Sequence, residues 1–230
     1  MKSQEIRQRL KDQNIRFWAG DNISSVLEPG DKELLIEELT ERFESVLDSL
    51  VIDRENDPNS HDTGRRLAKM YVNELFSGRY DEMPACTAFP NEGDTAYTGM
   101  LVVRAEITSM CSHHHQPVTG VAYIGVIPGD KVIGLSKYIR IAQWCARRGT
   151  LQEELANDIA NEIQKATGAE DVGVHVGAEH GCCTHRGIQA NSSLTQTTVL
   201  YGGFRTDPSV KKEFFDNIAM QKNTGSGSVY

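Results

Sequence analysis

Apolar residues along this chain follow two different periods, one after the other. From Asp31 onward, Leu35, Leu39, Phe43, Val46, Leu47 and Leu50 recur three or four positions apart, the spacing of one helix face. Asp31 is placed to cap that helix. Leu67, Met70, Tyr71 and Leu75 repeat the spacing and predict a second helix from about Thr63 to Leu75, closed by Ser77-Gly78. The intervening run Asp53–His61 is loop by composition. Residues 1–30 are polar with scattered apolar positions and end at the turn signal Pro29-Gly30.

From residue 101 the period becomes two. Leu101, Val103, Ala105 and Ile107 alternate with Val102, Arg104, Glu106 and Thr108, predicting a strand with one buried face. Residues 121–127 predict a second strand, and Pro128-Gly129-Asp130-Lys131 a turn into the short run Val132-Ile133. Ser136 is placed to cap a helix to about Arg148. Another helix, from about Leu151, carries Leu155, Ile159 and Ile163 on its core stripe. Val172, Val174 and Val176 alternate with Gly173, His175 and Gly177 as a strand, and residues 194–203 predict the last one. Asp207-Pro208 is a cap followed by proline at the first helical position, opening a short helix with Phe214, Phe215 and Ile218. The pattern predicts an α+β chain: a helical N-terminal region over 1–95, a mixed domain over 96–219 and a low-complexity tail over 220–230 that is expected to be flexible.

The first strand runs directly into Cys111, and Ser109-Met110-Cys111-Ser112-His113-His114-His115 sets a thiol and an imidazole three residues apart. Thiolate and neutral imidazole are the ligands zinc prefers. A straight strand would point Cys111 and His114 to opposite faces, so the chain must turn there to bring both onto one ion. A further ligand is expected from His180-Gly181-Cys182-Cys183, where the 172–176 strand ends. Three protein ligands would leave one tetrahedral position open, as in a catalytic site. The plainer alternative is a closed structural site with His113, His115 or Cys183 as the fourth ligand.

Net charge narrows the partners. The formal charge of −8 over 230 residues argues against a non-specific nucleic-acid binder, while leaving room for a local basic pocket. Five irregularly spaced cysteines read as reduced, intracellular thiols rather than a disulfide framework. No apolar run approaches membrane-spanning length and the N-terminus lacks an apolar signal core, so a soluble, cytoplasmic protein is expected, with no membrane partner.

An ordered series of motifs resembles the GTP cyclohydrolase I family. It runs Asp62-Thr63-x-x-Arg66-Leu67-Ala68-Lys69, Phe89-Pro90-Asn91-Glu92, Ser109-Met110-Cys111-x-His113-His114 and Gly134-Leu135-Ser136-Lys137-x-x-Arg140-Ile141. It continues with Arg147-Arg148-x-x-x-Gln152-Glu153, His180-x-Cys182-x-x-x-Arg186-Gly187 and Asp207-Pro208 with Glu213-Phe214. The resemblance implies the tunnelling fold, an antiparallel sheet with two helices on one face, as the catalytic domain. It implies a homodecamer with active sites between subunits. The implied reaction is zinc-dependent hydrolysis of GTP at guanine C8, with formate release, to 7,8-dihydroneopterin triphosphate, which opens pterin and folate or 7-deazaguanine biosynthesis. Rival expectations are a variant that stops after ring opening or prefers dGTP, and an idle homologue that only binds nucleotide.

Carried over residue by residue, the resemblance implies Cys111, His114 and Cys182 as ligands of Zn2+. It implies His180 as proton donor with His113 as helper, and Gln152 with Glu153 as the pair that reads guanine. Ser136, Lys137, Arg140 and Arg186 would meet the triphosphate, with Arg66 and Lys69 reaching it from a neighbouring subunit. Each has a plainer alternative: a hydrogen-bonded histidine, an exposed helix start, a solvated cationic face. His115, His175 and His185 are expected to be structural, and Cys183 a small buried hydrophobe. Ser112 and Gly64 stand where the family commonly has an acidic residue and a proline, which points to a divergent branch.

Overall fold

The computed structural model describes residues 1–225; of the expected flexible tail, 226–230 lie outside the described residues. The chain divides into two compact units, the first taking Met1–Glu82 with Arg147–Gly149 and the second the rest.

The first unit is helical: α1 (Lys2–Asp12), α2 (Asp31–Ser49), α3 (Thr63–Met70) and the short α4 (Ser77–Tyr80). The polar reading of residues 1–30 misses α1. Its inward face rests on Ile6 and Leu10, one turn apart and packed with Ile23, Val26 and Leu35. Asp31 is not the cap of α2. Gly30, with φ +89°, takes that place, and Asp31 opens the helix proper. The residue is buried (2% exposed). The carboxylate accepts the Glu28 N–H at 2.9 Å and pairs with Arg9 Nη2 at 2.8 Å and Lys2 Nζ at 3.3 Å. Burial pushes the carboxyl up, yet these donors outweigh it and hold Asp31 below the usual carboxylate range. α3 runs on through a wider π turn, Tyr71–Leu75, and the chain turns helical again at Ser77 instead of stopping there. Ala68 and Val72 pack on Ile36 of α2. A Cβ on Gly64 would stand 2.6 Å from Glu44 Cγ, so the small residue allows α3 to lie close on α2.

The second unit contains an antiparallel sheet of β2 (Leu101–Met110), β3 (Pro117–Ile127), β5 (Asp171–His180) and β6 (Thr195–Leu200) in that order. A separate pair joins β1 (Ala88–Pro90) to β4 (Lys131–Ile133). β3 starts four residues before its apolar run, because Pro117 and Gly120 mask the alternation while Met110 still pairs with Pro117. α5 (Leu135–Ala146) and α6 (Gln152–Thr167) cover one sheet face. Tyr138, Ile141, Ala142, Cys145 and Ala146 form the inner stripe of α5; Gln152, Leu155, Ala156, Ile159, Ala160, Ile163 and Thr167 form that of α6. Each fully buried Ile or Leu on these stripes contributes roughly 1.5–3 kcal/mol. α5 starts at Leu135, so Ser136 lies inside its first turn and does not cap it.

α7 (Gly181–Thr184) and α8 (Gly203–Thr206) are single turns, and α9 (Pro208–Gly225) is far longer than its apolar positions suggest. Phe204 and Phe214, edge to face at 5.2 Å, fill the second sheet face over Gly125 and Gly173, which pair in register. A Cβ on either glycine would meet a phenylalanine ring carbon at 2.7 Å. This is the α+β arrangement that the family resemblance implies, with a further helix behind the sheet. Among the described residues, no helix is long and apolar enough to cross a membrane.

Candidate active site

Sheet register converges the cysteines. β2 and β5 both run antiparallel to β3 and hence parallel to each other, so their C-terminal ends leave the sheet on one side. Ser109, Val118 and His180 form one row across these strands. Cys111 and Cys182 each stand two residues beyond the row. Across a gap of roughly 9.5 Å, two strand spacings, the cysteines lean toward each other until their Sγ atoms are 3.9 Å apart. A ring nitrogen of His180 completes a group whose ligand atoms lie within 4.8 Å of one another.

The donor set fits zinc. Two thiolates around a tetrahedral zinc with Zn–S near 2.3 Å stand about 3.8 Å apart, close to the spacing found here. Burial, and then the neighbouring Cys111 thiol, push Cys182 from 9.0 up to about 11. Such a pair favours protons until a cation replaces them. Cys183 is half-buried, with its Sγ 3.9 Å from that of Cys182.

The chain turns at 112–114, closed by His115 N–H to the Cys111 carbonyl at 2.9 Å and with His115 at φ +48°. The turn leaves His113 and His114 exposed, their rings edge to face at 6.4 Å. His114, expected as a ligand, is outside the clustered group; His180, expected as proton donor, is within it.

His180 Nε2 lies 2.7 Å from Oε1 of Gln152. Burial pulls this imidazole below its ordinary range, with the Glu153 carboxylate opposing. Gln152 is itself buried (4% exposed), whereas Glu153 beside it is exposed. Of the expected phosphate contacts, Ser136, Arg140 and Arg186 are exposed and Lys137 is half-buried, donating to the Ala85 carbonyl at 2.6 Å. Arg66 and Lys69 are exposed on α3 of the first unit. His175 is buried, bonded through Nδ1 to Thr198 Oγ1 at 2.9 Å and edge-on to Phe215, a structural histidine; His185 is exposed. The link missed in the sequence is Gln152 to His180, although Gln152 falls three residues before Leu155 on the apolar stripe of α6, a signal that it faces inward.

The family model of GTP cyclohydrolase I matches residues 39–219. The chain is similar to a GTP cyclohydrolase 1 of Aeromonas salmonicida, 38% identical over 184 residues, 79% of this chain and 83% of that protein. One from Pseudoalteromonas translucida is 37% identical over 186 residues, covering 79% and 97%. Another, from Yersinia pseudotuberculosis, is 41% identical over 160 residues, covering 69% and 72%.

Proposed function

Because the chain belongs to the GTP cyclohydrolase I family, we propose that it hydrolyses GTP at guanine C8, releases formate and yields 7,8-dihydroneopterin triphosphate. The observation that carries this reading is the Cys111–Cys182 thiol pair with His180 beside it, a zinc-type donor set at the ends of two parallel strands. Cys111 and Cys182 would supply thiolates, and His114, three residues from Cys111, the imidazole. Bound zinc would supply Lewis acidity beside the carbon under attack.

His180 then handles the proton that the opening imidazole ring requires, with His113 assisting. Glu153 accepts the N1–H and amino group of guanine, a pattern that adenine cannot present, so a wrong base would leave the carboxylate unpaired. Ser136, Lys137 and Arg140 on the first two turns of α5 and Arg186 beyond α7 hold the triphosphate, with Arg66 and Lys69 added from another copy in a homo-oligomer, a decamer in this reading. The cytoplasm, and a place at the entry to pterin or 7-deazaguanine synthesis, follow from the same reading.

A second arrangement is favoured by the static distances: His180 as the third ligand in place of His114. Zinc content of His114→Ala and His180→Ala separates them, since the true ligand's loss lowers zinc affinity by at least tenfold. The function itself is tested by following pterin fluorescence after oxidation and formate in parallel, with zinc-loaded protein, metal-stripped protein and His180→Ala. Equal yields of both products, lost in the two controls, are expected. Formate alone would mean arrest after ring opening. Neither product, with zinc still bound, would make the chain a nucleotide-binding homologue.

A further inference from the structure

Gln152 was expected to read the guanine base, but its amide is spent on the protein. Nε2 lies 3.2 Å from the Val176 carbonyl, 3.1 Å from the Thr195 carbonyl and 3.3 Å from Thr197 Oγ1, while Oε1 lies 2.7 Å from His180 Nε2. Backbone carbonyls only accept, so the amino end must face Val176 and Thr195; the reverse orientation would set three oxygens against one another. The oxygen end therefore faces His180. An amide oxygen also only accepts, so His180 Nε2 must carry a hydrogen. In the neutral ring the lone pair is then on Nδ1.

Two backbone features hold this lock in place. Val176 on β5 pairs in register with Thr197 on β6, so the acceptors around the amino end belong to adjacent strands. Gln152 opens α6 on its buried stripe, so the helix that brings the amide also fixes its depth. The residue is 4% exposed and has little surface left for a substrate.

We infer that Gln152 is a positioning residue that acts through His180, fixing the ring's orientation and tautomer so that Nδ1 is the nitrogen offered to the site. Base recognition on α6 is then left to the exposed Glu153. The inference rests on reading this site as a GTP cyclohydrolase centre, and it deepens that reading by dividing the Gln152-Glu153 pair into two tasks.

The test compares zinc-loaded full-length protein with two variants. Gln152→Met keeps the volume and removes both ends of the amide; Gln152→Glu restores an acceptor toward His180 and, as the protonated acid, a single donor toward the Val176 and Thr195 carbonyls. Solid-state 15N spectra of histidine-labelled protein, with the His180 signals assigned by difference against His180→Ala, read the tautomer. The parent should show Nε2 protonated, and Gln152→Met should lose that fixed state. In turnover, Gln152→Met should lower kcat about 10- to 100-fold with KM for GTP unchanged, and Gln152→Glu, which keeps the acceptor but only one donor, should recover part of the loss. Protonated Nδ1 with bare Nε2 in the parent would overturn the inference. So would a raised KM with kcat preserved, which would return Gln152 to base recognition. If Gln152→Met does not fold, the parent spectrum and Gln152→Glu still decide. If the parent does not turn over GTP, the proposed function falls, and the 15N comparison alone decides the role of Gln152.

Discussion

Asp31 in the helical unit and Cys182 in the sheet unit are both ionisable groups drawn away from water, yet their surroundings act on them in opposite directions. Around Asp31 the protein supplies Arg9, Lys2 and the Glu28 N–H, so the charged form is favoured despite burial. Around Cys182 it supplies two more thiols and an imidazole, so burial and crowding favour the neutral form. The first cluster is complete in itself and its work is structural. The second gathers thiols and an imidazole, a donor set that could hold a metal ion. A buried titratable group signals function when the protein leaves it wanting a partner.

The sharpest way to break this contrast is to remove one member of each cluster. Cys182→Ser should abolish stoichiometric zinc binding and lower GTP turnover on the order of 10³-fold or more, while moving the melting point of the metal-free protein by no more than about 3 °C. Metal analysis, turnover and calorimetry would check it. Asp31→Ala should act in the opposite sense, leaving zinc content unchanged and costing stability in urea unfolding. A buried pair broken on one side costs about 3–5 kcal/mol. Here Arg9 and Lys2 keep 21% and 17% of their side-chain surface and can turn to water, so about 2–3 kcal/mol is expected.

Smaller effects should appear on opposite sides of neutral pH. A thiol raised from 9.0 to about 11 binds its proton more tightly when folded. Its contribution is therefore intact below pH 9.0 and lost as the pH climbs toward 11. Metal-free protein should lose stability across that window, and zinc-loaded protein should not. Asp31 is depressed from 3.8, so its contribution is present above that value and lost as the pH falls through the lower folded one. Asp31→Asn should flatten the acid side of the stability curve and leave the alkaline side as it was.

The sequence reveals different amounts of these two units. In the sheet unit the period-two runs and the helical stripes are strong, because each element buries a whole face, and the ordered Cys and His motifs mark the site. In the helical unit α1 escapes notice because two apolar residues, Ile6 and Leu10, carry its inward face. Both expected caps, Asp31 and Ser136, lie inside the first turn instead, since a capping side chain and a first-turn side chain look alike until the backbone is known. The hydrogen bond from His180 to Gln152 joins residues 28 apart, and spacing along the chain carries no sign of such a pair. What periodicity does carry is that Gln152 belongs to an apolar stripe and Glu153 does not. The difference in burial between these neighbours is faintly written in the sequence, hidden by how alike the two side chains are.

The hollow formed by Gly125 and Gly173, with Phe204 and Phe214 seated in it, has a consequence for descent. None of these four positions can drift alone: a methyl group gained on the strands evicts a ring, and a ring trimmed on α8 or α9 leaves a void that no strand side chain fills. Relatives of this chain should therefore change there in matched sets, small strand residues traded for larger ones only where an aromatic has been given up. Such linked substitutions would mark which branches keep a helix behind the sheet and which have lost it.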